Sequence, residues 1–207
     1  DNVFPNISAS TLLTPDLTSP SFSLNCFPSK QNGFWLNNSP LTSVDQLARN
    51  GVIHHVAILS LPPQKFMWDR ISSDTNLTYL KAAIVRADSG MTSANTLQHY
   101  LSIVGPTFTM FAPTNQAFTS FLKNIIYQSL INQGVPTAIA QSQATSLVST
   151  PDVFNNALLF STLPANTIKG LLFYHLLDKI AFTNNFPVTE TSIPTVLSSQ
   201  SSGANAI

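Results

Sequence analysis

The pattern of apolar and polar positions changes after Pro62 and Pro63. Residues 1–63 contain short apolar runs separated by turn residues, without a sustained helical period, and this pattern predicts β-structure. The clearest predicted strand is 52–61, which is apolar on both faces apart from two histidines and a serine, and which follows Asn50 and Gly51. The two prolines predict its end, because proline cannot donate a hydrogen bond to a ladder.

Beyond this break, apolar residues recur at helical spacing. They predict helices over about 75–88 and about 166–177, while the Ser/Thr-rich stretch 141–151 indicates a helix that runs into a loop. Thr114 is suited to cap a further helix. One apolar stripe on that helix is formed by Phe118, Phe121, Leu122, Ile125 and Ile126. Strands followed by helices predict an α+β chain with a boundary near residue 64, and neither part has the elements of a complete domain.

Composition narrows the possible partners. Only 9% of the residues are charged, against about 25% in ordinary soluble domains, and the nine basic residues balance the nine acidic ones. Without a basic field or a basic run, the sequence argues against nucleic-acid binding. Apolar stretches such as 170–177 are shorter than the roughly 18 residues that span a bilayer. The low charge and the abundance of hydroxyl and amide side chains favour the cell exterior.

The sequence lacks the common patterns of catalysis and metal binding. The chain has no Gly-x-Ser-x-Gly elbow, phosphate-binding glycine loop or His-Glu-x-x-His helix. Cys26 is the only cysteine, which excludes an internal disulfide and a thiolate cluster. His54 and His55 are adjacent on a predicted strand and therefore point to opposite faces. The aspartates are scattered rather than paired, so we expect no enzyme activity, no cofactor and no metal site.

Three segments resemble the fasciclin (FAS1) family. Residues 108–118 (Phe-Thr-Met-Phe-Ala-Pro-Thr-Asn-Gln-Ala-Phe) resemble its first signature, a strand that runs through Ala-Pro-Thr into a helix. Residues 50–63, beginning Asn-Gly-Val-Ile-His, resemble its last signature, the strand that closes a domain. Residues 171–177 resemble the Tyr-His motif between them. The doubled histidine at positions 54 and 55 departs from the family, which usually shows one, and leaves open which of them fills its position.

The residues of the first signature have a physical explanation of their own. Phe111 lies in the predicted strand, and Pro113 cannot continue that strand. Thr114 supplies the capping oxygen, and Phe118 begins the apolar stripe of the helix.

The resemblance implies a FAS1 fold, a β-sandwich or wedge with a layer of helices. Because the closing strand comes first here, residues 1–63 would be the C-terminal β part of a first domain. Residues 64–207 would then be the N-terminal and central part of a second one. A circularly permuted single domain would give the same order.

The resemblance also implies an extracellular adhesion or binding module that contacts a protein or a polysaccharide. Tyr174 and His175 belong to the motif linked to partner binding, although both could instead pack and hydrogen-bond in the core. Trp35 and Trp68 could be exposed platforms for a sugar or anchors for a protein, or could fill the core.

Two alternatives follow from other features. Residues 66–84 are similar to the domain openings of cell-surface fasciclin lipoproteins of Bacteroidota-type bacteria. That similarity implies an outer-membrane accessory subunit of a nutrient-uptake complex, held by a lipidated cysteine other than Cys26. A hydrolase is the third class, and it would require a cleft that brings Asp or Glu near one of the four histidines.

Overall fold

The structure is a computed structural model and describes residues 8–13 and 24–201. It is a mixture of helix and strand, about 46% helix and about 15% strand, with small sheets. The predicted α+β mixture is confirmed at this level, whereas the FAS1 fold stays a prediction. The chain divides into two compact units, one formed by residues up to Gln64 with Ala181–Ser192, the other by Lys65–Ile180 with the residues from Ile193 onward.

The first unit consists of small antiparallel sheets. One pairs β1 with β2, and the other is a four-stranded meander in the order β3-β4-β5-β6. The strands are β1 (Ala9–Ser10), β2 (Asn25–Cys26), β3 (Pro28–Ser29), β4 (Trp35–Leu36), β5 (Ser39–Ala48) and β6 (Gly51–Val56). β5 and β6 form the longest hairpin, in which Ala48 pairs with Gly51 across a turn at Arg49 and Asn50.

β6 is shorter than the strand predicted over 52–61, and Ser39 explains where it ends. The Ala57 N–H still donates to the Pro40 carbonyl at 2.9 Å. At the next residue, the Ser39 hydroxyl accepts from the Ile58 N–H at 3.0 Å and donates to the Ile58 carbonyl at 3.1 Å. A side chain therefore satisfies the backbone groups that a continued ladder would have paired, and the strand ends before Pro62.

Apolar side chains of the first unit remain exposed. Ile53 is 53% exposed and Leu59 is 79% exposed, and the neighbouring Leu47, Ile58 and Leu61 are exposed as well. The side chains that count as buried in the described part of this unit are polar, namely Ser29 and Ser39. This sheet therefore has no buried hydrophobic core among the described residues.

A distant segment completes the first unit. Residues Ala181–Ser192, which the sequence boundary placed in the second part, return to the small strands. The Phe27 and Phe182 rings lie 5.9 Å apart, and the Asn185 side-chain N–H donates to the Ser29 hydroxyl at 3.1 Å. Contacts across more than 150 residues leave no local pattern in the sequence.

The second unit is mainly helical. Its helices are α1 (Met67–Ser73), α2 (Thr78–Ala87), α3 (Leu97–Tyr100), α4 (Asn115–Asn132), α5 (Thr137–Leu147), α6 (Ala157–Thr162), α7 (Ala165–Tyr174) and α8 (Val196–Ser201). Short 3₁₀ turns lie at Thr75–Leu77, Ser93–Asn95 and Pro151–Asn155, and a fourth, at Thr183–Asn185, belongs to the first unit. Two short strands, β7 (Thr109–Met110) and β8 (Leu176–Leu177), pair antiparallel.

The core of the second unit is built from helical stripes. α2 packs against α4 and α7 through fully buried residues such as Leu80 and Ile84. On α4, the buried residues are Phe118, Leu122, Ile126 and Leu130, which follow an i, i+4 spacing. Phe121, which the sequence placed in this stripe, is instead 39% exposed, because it lies at the edge of that face.

Candidate partner-binding site

Phe111, Tyr174 and His175 come together where α7 meets the β7–β8 pair, and we call these three residues the aromatic corner. α7 ends at Tyr174, and His175 links it to β8. The β7–β8 register carries on past Met110, so that the Phe111 N–H donates to the His175 carbonyl at 2.9 Å. Phe111 therefore lies across the ladder from the Tyr-His motif.

Within the aromatic corner, His175 has a structural role. Its side chain is half-buried, and Nδ1 lies 2.9 Å from the Leu171 carbonyl oxygen, one turn back along α7. Because a carbonyl can only accept, Nδ1 carries the proton and donates. The ring thereby satisfies one of the carbonyls left unpaired at the end of a helix.

Tyr174 and Phe111 occupy the surface instead. Tyr174 is 62% exposed and Phe111 is 50% exposed. The Tyr174 ring meets the His175 ring edge to face, with the centroids 5.7 Å apart and the planes at 80°. A hydrogen-bonded histidine therefore contacts an exposed tyrosine. His175 packs against the end of α7, whereas Tyr174 lies at the surface.

The first signature positions Phe111 by fixing the start of α4. Pro113 separates β7 from the helix, and the Thr114 hydroxyl accepts from the Ala117 N–H at 3.3 Å as the N-cap. Phe118 is buried, with its ring edge to face with Phe154 at 5.9 Å. Thr114 therefore caps α4, and Phe118 fixes the helix in the core.

Asn115 was missed by sequence reasoning, although it anchors the same segment. Its side-chain oxygen accepts from the Tyr79 N–H at 3.1 Å, and its amide N–H donates to the Thr75 carbonyl at 2.9 Å. It therefore joins the start of α4 to the start of α2. An asparagine directly after a capping threonine was the only signal for this role.

The last signature lies on the exposed hairpin of the first unit. Asn50 occupies the turn, Gly51 begins β6, His54 is half-buried and His55 is exposed. The Asp45 N–H donates to His54 Nδ1 at 3.1 Å, and Asp45 has a left-handed φ of 58°. His54 therefore stabilises the irregular register of β5.

The same contact bears on the hydrolase hypothesis. The Asp45 carboxylate lies 4.0 Å from His54 Nδ1, but that nitrogen already accepts the Asp45 N–H. Its ring proton therefore resides on Nε2 when the ring is neutral, away from this contact. The pair lies on the exposed hairpin, and the side chain of Asp45 is 55% exposed.

The tryptophans lie in different units. Trp35 is half-buried, and its indole N–H donates to the Asn32 carbonyl at 3.2 Å, so the ring lies against its own turn. Trp68 is also half-buried and packs against the helical core. Neither indole is an exposed platform, which was the feature that would have favoured a glycan-capturing accessory protein.

A groove between α4 and α6 was not predicted from the sequence. It has a volume of about 480 Å³. Its lining contains Asn124, Ile125, Gln128, Asn132 and Gln133 of α4 and its C-terminal cap. Uncharged amides spaced along one helix were visible in the sequence, but Thr162, the lining residue that comes from α6, lies 30 residues beyond Asn132.

The described residues were also compared with the requirements of a metal site and of a membrane-spanning helix. Within them, no three His, Cys, Asp or Glu side chains come close enough together to hold a metal ion. None of the helices in the described ranges combines the length and apolarity needed to span a bilayer.

The chain matches no known family model and no curated protein sequence.

Proposed function

We propose that this chain is a non-enzymatic extracellular adhesion module of the fasciclin type, which contacts a protein or polysaccharide at the cell surface through the aromatic corner. The proposal combines the three fasciclin-like motifs of the sequence with the geometry around Tyr174. We also propose that the chain has the FAS1 fold and that the protein is located outside the cell.

The exposure of Tyr174 is the observation that carries the proposal. A tyrosine ring buries a large apolar area while its hydroxyl forms a hydrogen bond, which is why tyrosine is enriched at interfaces. Here the ring is 62% exposed, so the core does not require it. Its contact with the His175 ring restricts its motion, which would lower the entropy cost of binding.

The exposed hairpin of the first unit supports the proposed domain organisation. A strand that is apolar on both faces is typical of a covered position in a sheet, yet Ile53 and its neighbours are exposed. In the proposal, residues 1–63 are the closing half of a fasciclin domain. Its helical front, which lies outside these residues, would cover β6.

Membrane anchoring is a separate hypothesis. An accessory lipoprotein of an outer-membrane uptake complex would require an anchor outside these residues. Because both tryptophans are half-buried, we place partner contact at the aromatic corner instead.

Cell attachment to surfaces coated with the purified chain tests the proposal. We expect cells of the source organism to attach to the wild-type chain, and the Tyr174→Ala variant to weaken the contact at least roughly tenfold, as for an interfacial hot spot. Tyr174→Phe separates the contribution of the ring from that of the hydroxyl.

Phe34→Ala is a matched control, because Phe34 is a similarly exposed aromatic residue (45%) in the first unit. Attachment should be unchanged by this substitution. Equal attachment of the wild-type chain and the Tyr174→Ala variant would exclude the aromatic corner as the contact site.

A further inference from the structure

The groove between α4 and α6 has a chemical character distinct from that of the aromatic corner. Four of its lining side chains are amides, from Asn124, Gln128, Asn132 and Gln133, and none of its lining residues is ionisable. An amide offers both a donor and an acceptor. Such a surface is complementary to a neutral ligand whose groups also donate and accept.

The amides form a regular row on one face of α4. Asn124, Gln128 and Asn132 follow one another at intervals of four residues, which places them about 6 Å apart along the helix axis. All three residues are exposed, so their donors and acceptors can reach solvent. A row of equivalent groups suits a ligand with repeated units.

Thr162 is the lining residue that comes from α6, and hydroxyl contacts hold it in place. The Ser129 and Thr162 hydroxyl oxygens lie 3.4 Å apart across the two helices, and the Gln133 side-chain N–H donates to the Ser129 hydroxyl at 3.4 Å. Thr162 also donates to the Leu158 carbonyl at 2.8 Å, which fixes its position on α6. Ile125, partly buried against the core, provides an apolar part of the wall.

We propose that this groove binds a neutral oligosaccharide, most simply a segment of an uncharged polysaccharide. Sugar hydroxyls both donate and accept, which matches the amide row, and the C–H face of a sugar ring can lie against Ile125. An anionic glycan or a phosphate would find no cation among the lining residues. An extended peptide would need apolar pockets or a free sheet edge, neither of which a row of helix amides provides.

This inference concerns a second surface and goes beyond the adhesive role of the aromatic corner. The two can be separated by variants. Tyr174→Ala should leave the saccharide-induced shifts of the groove amide signals unchanged, whereas substitutions in the groove should leave attachment through the aromatic corner unchanged.

Side-chain amide NMR of the full chain gives a direct test, because Asn and Gln NH₂ groups have their own signals. The probes are cellohexaose, mannohexaose, xylohexaose and maltohexaose, with hexagalacturonate as an anionic comparison and an uncharged Ala-Ser hexapeptide as a peptide comparison. We expect at least one neutral hexasaccharide to shift the NH₂ signals of Gln128 and Asn132. In the double variant Gln128→Ala, Asn132→Ala, its affinity should fall about tenfold, as two lost hydrogen bonds require.

Gln116→Ala is the matched control, since Gln116 is an exposed amide on the same helix outside the groove. It should leave the affinity unchanged. Alanine favours helix, so both variants should fold, and the backbone spectrum verifies this. The proposal is wrong if no neutral saccharide binds, if the double variant binds equally well, or if the peptide or the anionic glycan binds more tightly than every neutral one.

Discussion

The two units of this chain differ in what they bury. The helical unit encloses fully buried side chains such as Leu80, Ile84 and Leu122, whereas the sheet of the first unit leaves Ile53 and Leu59 exposed. Both segments are rich in apolar residues, so hydrophobicity alone does not distinguish them. The difference shows that a run of apolar residues does not by itself predict burial, because burial also depends on another element packing against the run.

The largest expected effect contrasts matched leucines of the two units. Leu80→Ala should lower the free energy of unfolding of the helical unit by about 2–5 kcal/mol, because it leaves a cavity at a fully buried site. Leu59→Ala should change the stability of the first unit by less than about 0.5 kcal/mol, since Leu59 is 79% exposed. Urea denaturation of both variants measures this contrast, and similar losses would show that the sheet has a core after all.

A smaller effect should come from Tyr79, whose buried hydroxyl donates to the Val148 carbonyl at 2.7 Å. Tyr79→Phe should cost about 1 kcal/mol, since the Val148 carbonyl loses its partner. Burial raises the pKa of Tyr79 above the value in the unfolded chain, which is about 10.

The sign of the pH dependence follows from that shift. The neutral phenol is favoured in the folded state, so its contribution is fully present below pH 10 and is lost as the pH rises through the raised pKa. The stability gap between the wild-type chain and Tyr79→Phe should therefore close at alkaline pH. Denaturation across pH 8–12 checks this, and a gap that stays constant or widens would refute it.

The smallest expected effect concerns the cap of α4. Thr114→Ala should destabilise the helical unit by about 0.5 kcal/mol, because the Ala117 N–H loses an exposed acceptor that lies 3.3 Å away. Thr114→Ser retains the hydroxyl and should restore most of the stability. Thermal unfolding compares the three proteins, and a neutral Thr114→Ala would mean that the cap contributes little.

Local patterns predicted much of the helical unit. The helix expected over about 75–88 corresponds to the 3₁₀ turn Thr75–Leu77 followed by α2, and Thr114 caps α4 as its position indicated. These features depend on neighbours within four residues, which periodicity captures. The end of β6 was predicted too late, because it depends on the Ser39 side chain rather than on Pro62.

Features that depend on distant residues could not be predicted. The return of Ala181–Ser192 to the first unit and the two hydrogen bonds of the Asn115 side chain join segments that no short motif relates. At the candidate site, the sequence indicated Tyr174 and His175 but could not assign their separate roles. Their roles depend on the C-terminal end of α7, where the His175 ring donates to the Leu171 carbonyl and the Tyr174 ring faces solvent.

The central claim is that the β3–β6 sheet of the first unit is the closing half of a domain in an exported adhesion protein. The intact mass of the native protein, isolated from the medium and from the surface of its cells, tests this claim most directly. The account predicts that the protein is found outside the cell, as a chain longer than these 207 residues that extends before residue 1 by enough to supply a helical front. A protein found only inside the cell, or one whose mass matches these residues alone, would contradict it.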